Sequence, residues 1–178
     1  MNLANKLTTF RVLCIPIFVV FMLIESIPYN YYLAAIVFII ASITDLFDGK
    51  IARKYHLVTN FGKFMDPLAD KMLVSAAIIC LTPKMIPSWV VIIIISRELF
   101  ISGFRMLAAD QGIVLAAGWW GKFKTAFSMV MIIVLIVNTP LNNSVLYIIG
   151  QVLIWISLAL TIISMIDYVA KNIQVLKN

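Results

Sequence analysis

Apolar residues run through this chain in long stretches, and polar residues fall into the short gaps between them. The stretches recur roughly every 25 to 30 residues, about the length that crosses a bilayer as a helix. They predict six spans near residues 9–26, 31–53, 64–82, 86–108, 121–138 and 145–168. Breakers separate them: Pro28 after the first, Pro83 to Pro87 between the third and fourth, and Asn138 to Asn143 between the fifth and sixth. The second connection, Lys54 to Lys63, is short and polar. Segments of about ten residues with alternating polarity, the mark of a transmembrane β-barrel, are absent. The expected fold is an all-α integral membrane protein of six transmembrane helices, a single domain over residues 1–178 with no internal repeat or low-complexity tract.

Composition agrees. The chain is 63% hydrophobic and 12% charged, against about 25% charged in ordinary soluble domains. An N-terminus on the inside puts thirteen of the fourteen Lys and Arg residues in or towards cytoplasmic regions, leaving only Lys84 opposite. Both termini are then cytoplasmic, and the chain is expected in the cell membrane. The net charge of +6 reads as topology and attraction to anionic lipid. No basic surface is interleaved with stacking aromatics, so nucleic acid is not an expected partner. Residues 12–24 follow a basic start as in a secretory signal, but Glu25-Ser26-Ile27-Pro28 fits a cleavage site poorly and further spans follow. The first helix is therefore expected to be retained, with Asn2 to Arg11 as an interfacial lead-in. Cys14 and Cys80 lie in apolar spans without metal-site spacing and read as small buried side chains.

Against this apolar background, four of the eight acidic residues fall within residues 45–70, in the pattern D-x2-D-G-x2-A-R-x8-G-x3-D-x3-D. The eight positions are Asp45, Asp48, Gly49, Ala52, Arg53, Gly62, Asp66 and Asp70. Asp45, Asp48, Gly49 and Ala52 form one helical stripe at the end of the second span, and Gly62, Asp66 and Asp70 a matching stripe at the start of the third. A short connection makes these helices antiparallel neighbours, so the four carboxylates meet in a cleft near the cytoplasmic face. Pro67 is tolerable if the third helix begins only a few residues before it. Four close carboxylates do not all stay ionised without cations. Hard oxygen donors suit Mg²⁺, Mn²⁺ or Ca²⁺, and two divalent ions balance four charges. Such a pair clamps the attacking and leaving oxygens around phosphorus. Gly49 and Ala52 leave room for a ligand close to the backbone, and Arg53 can reach a phosphate with its planar fork. His56, the one histidine, reads as solvated in the polar connection, and Lys50 and Lys54 as headgroup-level anchors.

This eight-residue pattern resembles the signature of the CDP-alcohol phosphotransferases, integral membrane enzymes of phospholipid synthesis, with every signature position present. The resemblance implies that Asp45, Asp48 and Asp66 are metal ligands, with Mg²⁺ or Mn²⁺ as the ion. Asp70 would lie beside the metals as general base, or serve as a ligand only. Gly49, Ala52 and Gly62 would make space for the cytidine nucleotide, and Arg53 would touch the diphosphate. The reaction implied is attack by an alcohol on the lipid-side phosphorus of a CDP-linked lipid, releasing CMP. A homodimer is implied as well.

The acceptor alcohol is read from the remaining cations. Arg97, Glu98 and Arg105 sit inside the fourth apolar span, the two arginines roughly 12 Å apart along the helix. Intramembrane arginines are functional candidates by default. Lys122 and Lys124 open the fifth span. With the aspartates committed to metals, these four cations lack enough acidic partners and read as a pocket for the phosphate of a phosphorylated alcohol. A plainer reading stands beside it: Lys122 and Lys124 as anchors with Trp119 and Trp120 as an aromatic belt, and Arg97 paired with Glu98 or Asp110. Ser96-Arg97-Glu98, Gly103-Phe104-Arg105, Gly121-Lys122-x-Lys124-Thr125 and the opening Asn5-x-x-Thr8-x-x-Arg11 resemble the bacterial members of the family that accept glycerol 3-phosphate, although Ala4 stands where a proline is usual. That likeness implies transfer from CDP-diacylglycerol to sn-glycerol 3-phosphate, with Asn5 and Thr8 near the nucleotide or its entry. Inositol phosphate and serine are the rival acceptors. A divalent-cation channel is the reading from another class, but no charged track continues across the membrane.

Overall fold

A computed structural model of the chain describes residues 3–54, 60–110, 115 and 118–176, with side chains described over 7–44, 68–69, 71–109, 115 and 118–174. Six α-helices follow one another: α1 (Leu3–Leu23), α2 (Asn30–Lys54), α3 (Asn60–Cys80), α4 (Ser88–Asp110), α5 (Trp119–Leu141) and α6 (Ser144–Lys171), then a short 3₁₀ turn at Ile173–Leu176. Each coincides with one expected span. The differences lie at the ends. α1 starts at Leu3, so the supposed interfacial lead-in is continuous with it. α3 starts at Asn60, which puts Pro67 in its second turn and not its first. The last break is narrower than Asn138 to Asn143: α5 runs through Pro140 to Leu141. Asn142 then takes a left-handed φ of 46°, a conformation asparagine tolerates at a helix end. Asn143 caps α6, its side-chain oxygen accepting from the amides of Val145 (2.9 Å) and Leu146 (3.2 Å).

The helices are apolar on their exposed faces as well as their buried ones. Leu13, Ile17 and Val20 on α1 and Val145, Ile148, Val152, Trp155, Ile162 and Ile166 on α6 are all exposed. A helix apolar all round belongs in lipid or in the interior of a large core, and surfaces of this extent are foreign to soluble monomers. Among the described residues, α5 and α6 are long and apolar enough to cross a bilayer, and α1, α2 and α3 contribute the shorter apolar runs Leu7–Leu23, Asn30–Thr44 and Lys71–Cys80.

The chain packs as two units. The first comprises Met1–Leu81 and Leu135–Asn142, the second Thr82–Val134 and Asn143–Asn178. In the first, α1 packs on both α2 and α3, and α2 on α3. Phe18 and Phe38, both fully buried, meet at 5.9 Å between ring centres. Ala34, Ala41, Ala69 and Ala77 are fully buried too. Their lack of bulk lets helix backbones approach closely where no hydrophobic drive separates protein from lipid. In the second unit α4 packs on α6. Trp89 meets Trp155 at 5.9 Å and Phe104 meets Tyr168 at 5.8 Å. The paired positions advance together along both helices, so α4 and α6 run parallel.

Candidate active site

The backbone sets the aspartate motif at the joined ends of α2 and α3. Asp48 lies six residues before the end of α2, and Asp66 six residues after the start of α3. Asp45 and Asp70 lie nine and ten residues from the same two ends. In an antiparallel pair of packed helices, Asp48 is therefore level with Asp66, and Asp45 with Asp70. The side chains of Asp45, Asp48, Gly49, Ala52, Arg53, Gly62, Asp66 and Asp70, and of Asn5, Lys50 and Lys54, lie outside the described residues, as does His56 altogether. Among the described residues no group of three or more His, Cys, Asp or Glu forms a metal site. By residue type alone, the four carboxylates of the motif suit hard divalent cations.

Thr8 and Arg11 are buried and engaged in interactions. Arg11 is completely buried, which neither its charge nor its place in the opening motif foretold. It lies twelve residues before the end of α1, and Ser42 lies twelve after the start of α2. Across the short turn joining these helices, Arg11 is thus level with Ser42, one turn before Asp45.

The second unit holds all four cations expected to bind the acceptor. Glu98 Oε1 accepts from both Arg97 Nη1 and Lys124 Nζ, each at 2.8 Å. Arg97 also donates from Nη2 to Ser164 Oγ at 3.0 Å. Lys124 is 2% exposed and Arg97 8%. Of the four cations expected to lack enough acidic partners, Arg97 and Lys124 share one carboxylate, and the trio keeps a single net positive charge. Sharing is favoured because an unpaired buried ion costs several kcal/mol, about as much as the pairing recovers. Glu98 accordingly orients Arg97 and Lys124. The pairing of Arg97 is with Glu98; the side chain of Asp110 is outside the described residues.

Arg105, two turns further along α4, is exposed and donates from Nε to Tyr168 Oη at 3.1 Å. Lys122 is separate from the trio: it is exposed, with Nζ 4.8 Å from the Trp119 ring centre. Gly121 stands close to Arg97; a Cβ there would lie 3.9 Å from Nη2, an ordinary contact. Asp167 pairs locally with Lys171 at 2.6 Å. Cys14 and Cys80 are free thiols. Between α4 and α6 lies an open cavity of about 410 Å³, lined by Ile93, Thr161, Ile162, Met165, Ile166, Val169 and Ala170, with Arg97 at its wall. Ser164 and Tyr168 went unnoticed in the sequence. The available signal was a run of hydroxyl residues at helical spacing in an otherwise apolar helix.

Apolar helices and a phosphotransferase-like aspartate motif in the sequence are the marks of a membrane-associated transferase family. The chain belongs to the CDP-alcohol phosphatidyltransferase family, whose sequence model matches residues 1–163. It is 43% identical to the CDP-diacylglycerol–glycerol-3-phosphate 3-phosphatidyltransferase of Bacillus subtilis (strain 168), over 99% of this chain and 97% of that protein. A protein of the same name from Haemophilus influenzae is 39% identical over 94% of this chain and 91% of its own length. The probable phosphatidylglycerophosphate synthase of Mycobacterium tuberculosis is 35% identical over 97% and 82%.

Proposed function

We propose that this chain transfers the phosphatidyl group of CDP-diacylglycerol to sn-glycerol 3-phosphate, giving phosphatidylglycerol phosphate and CMP. The observation that carries this reading is near end-to-end similarity to relatives bearing that activity in their names, at 43% identity for the Bacillus protein. The buried Arg97–Glu98–Lys124 trio and Arg105 support an acceptor that is itself an anion. Serine needs no such cations; inositol phosphate needs them equally, and it is set aside on the relatives' names.

All six helices cross the membrane with both termini in the cytoplasm, and the protein works as a homodimer. Asp45, Asp48, Asp66 and Asp70 would hold Mg²⁺ or Mn²⁺, two ions in all. When bound, these supply charge neutralisation on the diphosphate and its departing oxygen. Gly49, Ala52 and Gly62 accommodate the cytidine nucleotide beside the backbone, with Asn5 and Thr8 near its entry, and Arg53 binds the diphosphate. Arg97, Arg105, Lys122 and Lys124 attract and hold the phosphate of the acceptor. The acceptor hydroxyl oxygen forms a bond to the lipid-side phosphorus as the bond to CMP breaks, and Asp70 receives the hydroxyl proton. Positioning and electrostatics carry such a displacement. None of the eight signature positions is a Ser, Cys or His that could form a covalent intermediate.

The test is CMP release by the purified protein with CDP-diacylglycerol and Mg²⁺ in the presence of glycerol 3-phosphate, inositol phosphate or serine. Stimulation by glycerol 3-phosphate alone is the expected result. No stimulation by it rejects the choice of acceptor.

A further inference from the structure

α6 presents four buried hydroxyls at helical spacing: Ser157, Thr161, Ser164 and Tyr168. Two of them meet the two arginines of α4. Ser164 Oγ donates to the Thr161 carbonyl at 3.0 Å, which commits its proton back along α6. Its lone pairs are left to accept from Arg97 Nη2. The Tyr168 ring is held edge-on against Phe104 in a buried cluster with Ile101 and Ala108. Its hydroxyl is thereby fixed where it accepts from Arg105 Nε, and the guanidinium carbon lies 5.4 Å from the ring centre.

The choice of nitrogen matters. A guanidinium has five N–H donors in a planar fork. Arg105 spends only Nε–H on Tyr168, so its two terminal nitrogens, side by side, have no partner among the described residues. With Nε–H committed, that end-on edge is left to grip a phosphate through two parallel hydrogen bonds. Arg97 spends one donor on Glu98 and one on Ser164 and keeps three. Fixing a long side chain before the anion arrives removes the cost of ordering it from the binding step.

We propose that Ser164 and Tyr168 are positioning residues for the acceptor: from α6 they hold Arg97 and Arg105 in the orientation that receives the phosphate of the alcohol substrate. The inference rests on the reading of those arginines as acceptor-phosphate ligands. Polar side chains also act as glue between membrane helices. Glue alone lowers thermal stability and moves the KM of both substrates together.

The test is steady-state kinetics of the purified full-length protein, varying glycerol 3-phosphate and CDP-diacylglycerol separately, with the Tm of each variant measured alongside. Tyr168→Phe keeps the ring and its packing and deletes one hydroxyl. It is expected to raise KM for glycerol 3-phosphate about ten-fold, the scale of one lost hydrogen bond to a charged group, while KM for CDP-diacylglycerol and kcat stay put. Ser164→Ala should act the same way, and Ser164→Thr, which retains the hydroxyl, should restore the wild-type value. Arg105→Ala separates the possible failures. If it raises the glycerol 3-phosphate KM and Tyr168→Phe does not, the positioning role is overturned and the acceptor reading survives. If Arg105→Ala has no effect on that KM, both fall. Parallel rises in both KM values with a lowered Tm in Tyr168→Phe overturn positioning in favour of helix glue.

Discussion

Replacing Glu98 by alanine removes the one carboxylate that Arg97 and Lys124 share. In the intact protein both contacts are 2.8 Å, and the three side chains are 9%, 3% and 16% exposed for Arg97, Lys124 and Glu98. The variant leaves two cations buried together without a counter-charge. Breaking a buried pair in this way costs about 3–5 kcal/mol. At roughly 2–4 °C per kcal/mol for a chain of this size, Tm should fall by about 6–20 °C. Glu98→Gln keeps an acceptor oxygen and should fall less. Adding Lys124→Met to Glu98→Ala removes one stranded cation and should recover part of the loss, a coupling that a double-mutant cycle measures directly. The assay is thermal unfolding of the full-length protein in detergent. Inorganic phosphate should raise the Tm of Glu98→Ala more than that of the wild type, since an anion replaces the missing carboxylate. A fall of less than about 2 °C in Glu98→Ala would refute the reasoning, because the pair would then be behaving as a solvent-screened surface contact.

Three further outcomes follow from the same geometry. Asp70→Asn should retain labelled CDP-diacylglycerol on the purified protein but lose transfer by about 100-fold or more, the scale of a missing general base; loss of lipid binding as well would argue for a ligand role only. Lys124→Gln should lower Tm and raise the glycerol 3-phosphate KM, whereas Lys122→Gln, which gives up an exposed cation–π contact worth about 0.5–1 kcal/mol, should shift Tm by only a few degrees. Asn143→Ala, which deletes the cap of α6, should cost about 1 kcal/mol in thermal unfolding and leave both KM values alone.

The helices were legible because long apolar runs and proline or asparagine breaks are signals that no tertiary contact needs to supply. The ends were harder to place, for a consistent reason. Asn5, Lys6 and Thr8 look like a lead-in, and Asn60 to Lys63 like a connection, yet polar residues continue a helix as readily as they end one. The aspartate motif stands out in the sequence because its spacing is local and falls on consecutive helices, α2 and α3; its side chains lie outside the described residues. The cation cluster was legible only as a list of candidates. Glu98 meets Lys124 across 26 residues of sequence, and Arg97 and Arg105 meet Ser164 and Tyr168 across 67 and 63. A serine or tyrosine in an apolar helix looks ordinary until the residue opposite it is known. Arg11 shows the same limit: its charge counted towards topology, while its burial depends on packing that a single helix does not display.

The most direct measurement of the central claim is lipid product formed from CDP-diacylglycerol and labelled glycerol 3-phosphate as Mg²⁺ is titrated into chelator-stripped protein. The account predicts labelled phosphatidylglycerol phosphate and an equal amount of CMP appearing only with the metal, and neither with Asp66→Asn. Undiminished turnover in thorough chelator would contradict it.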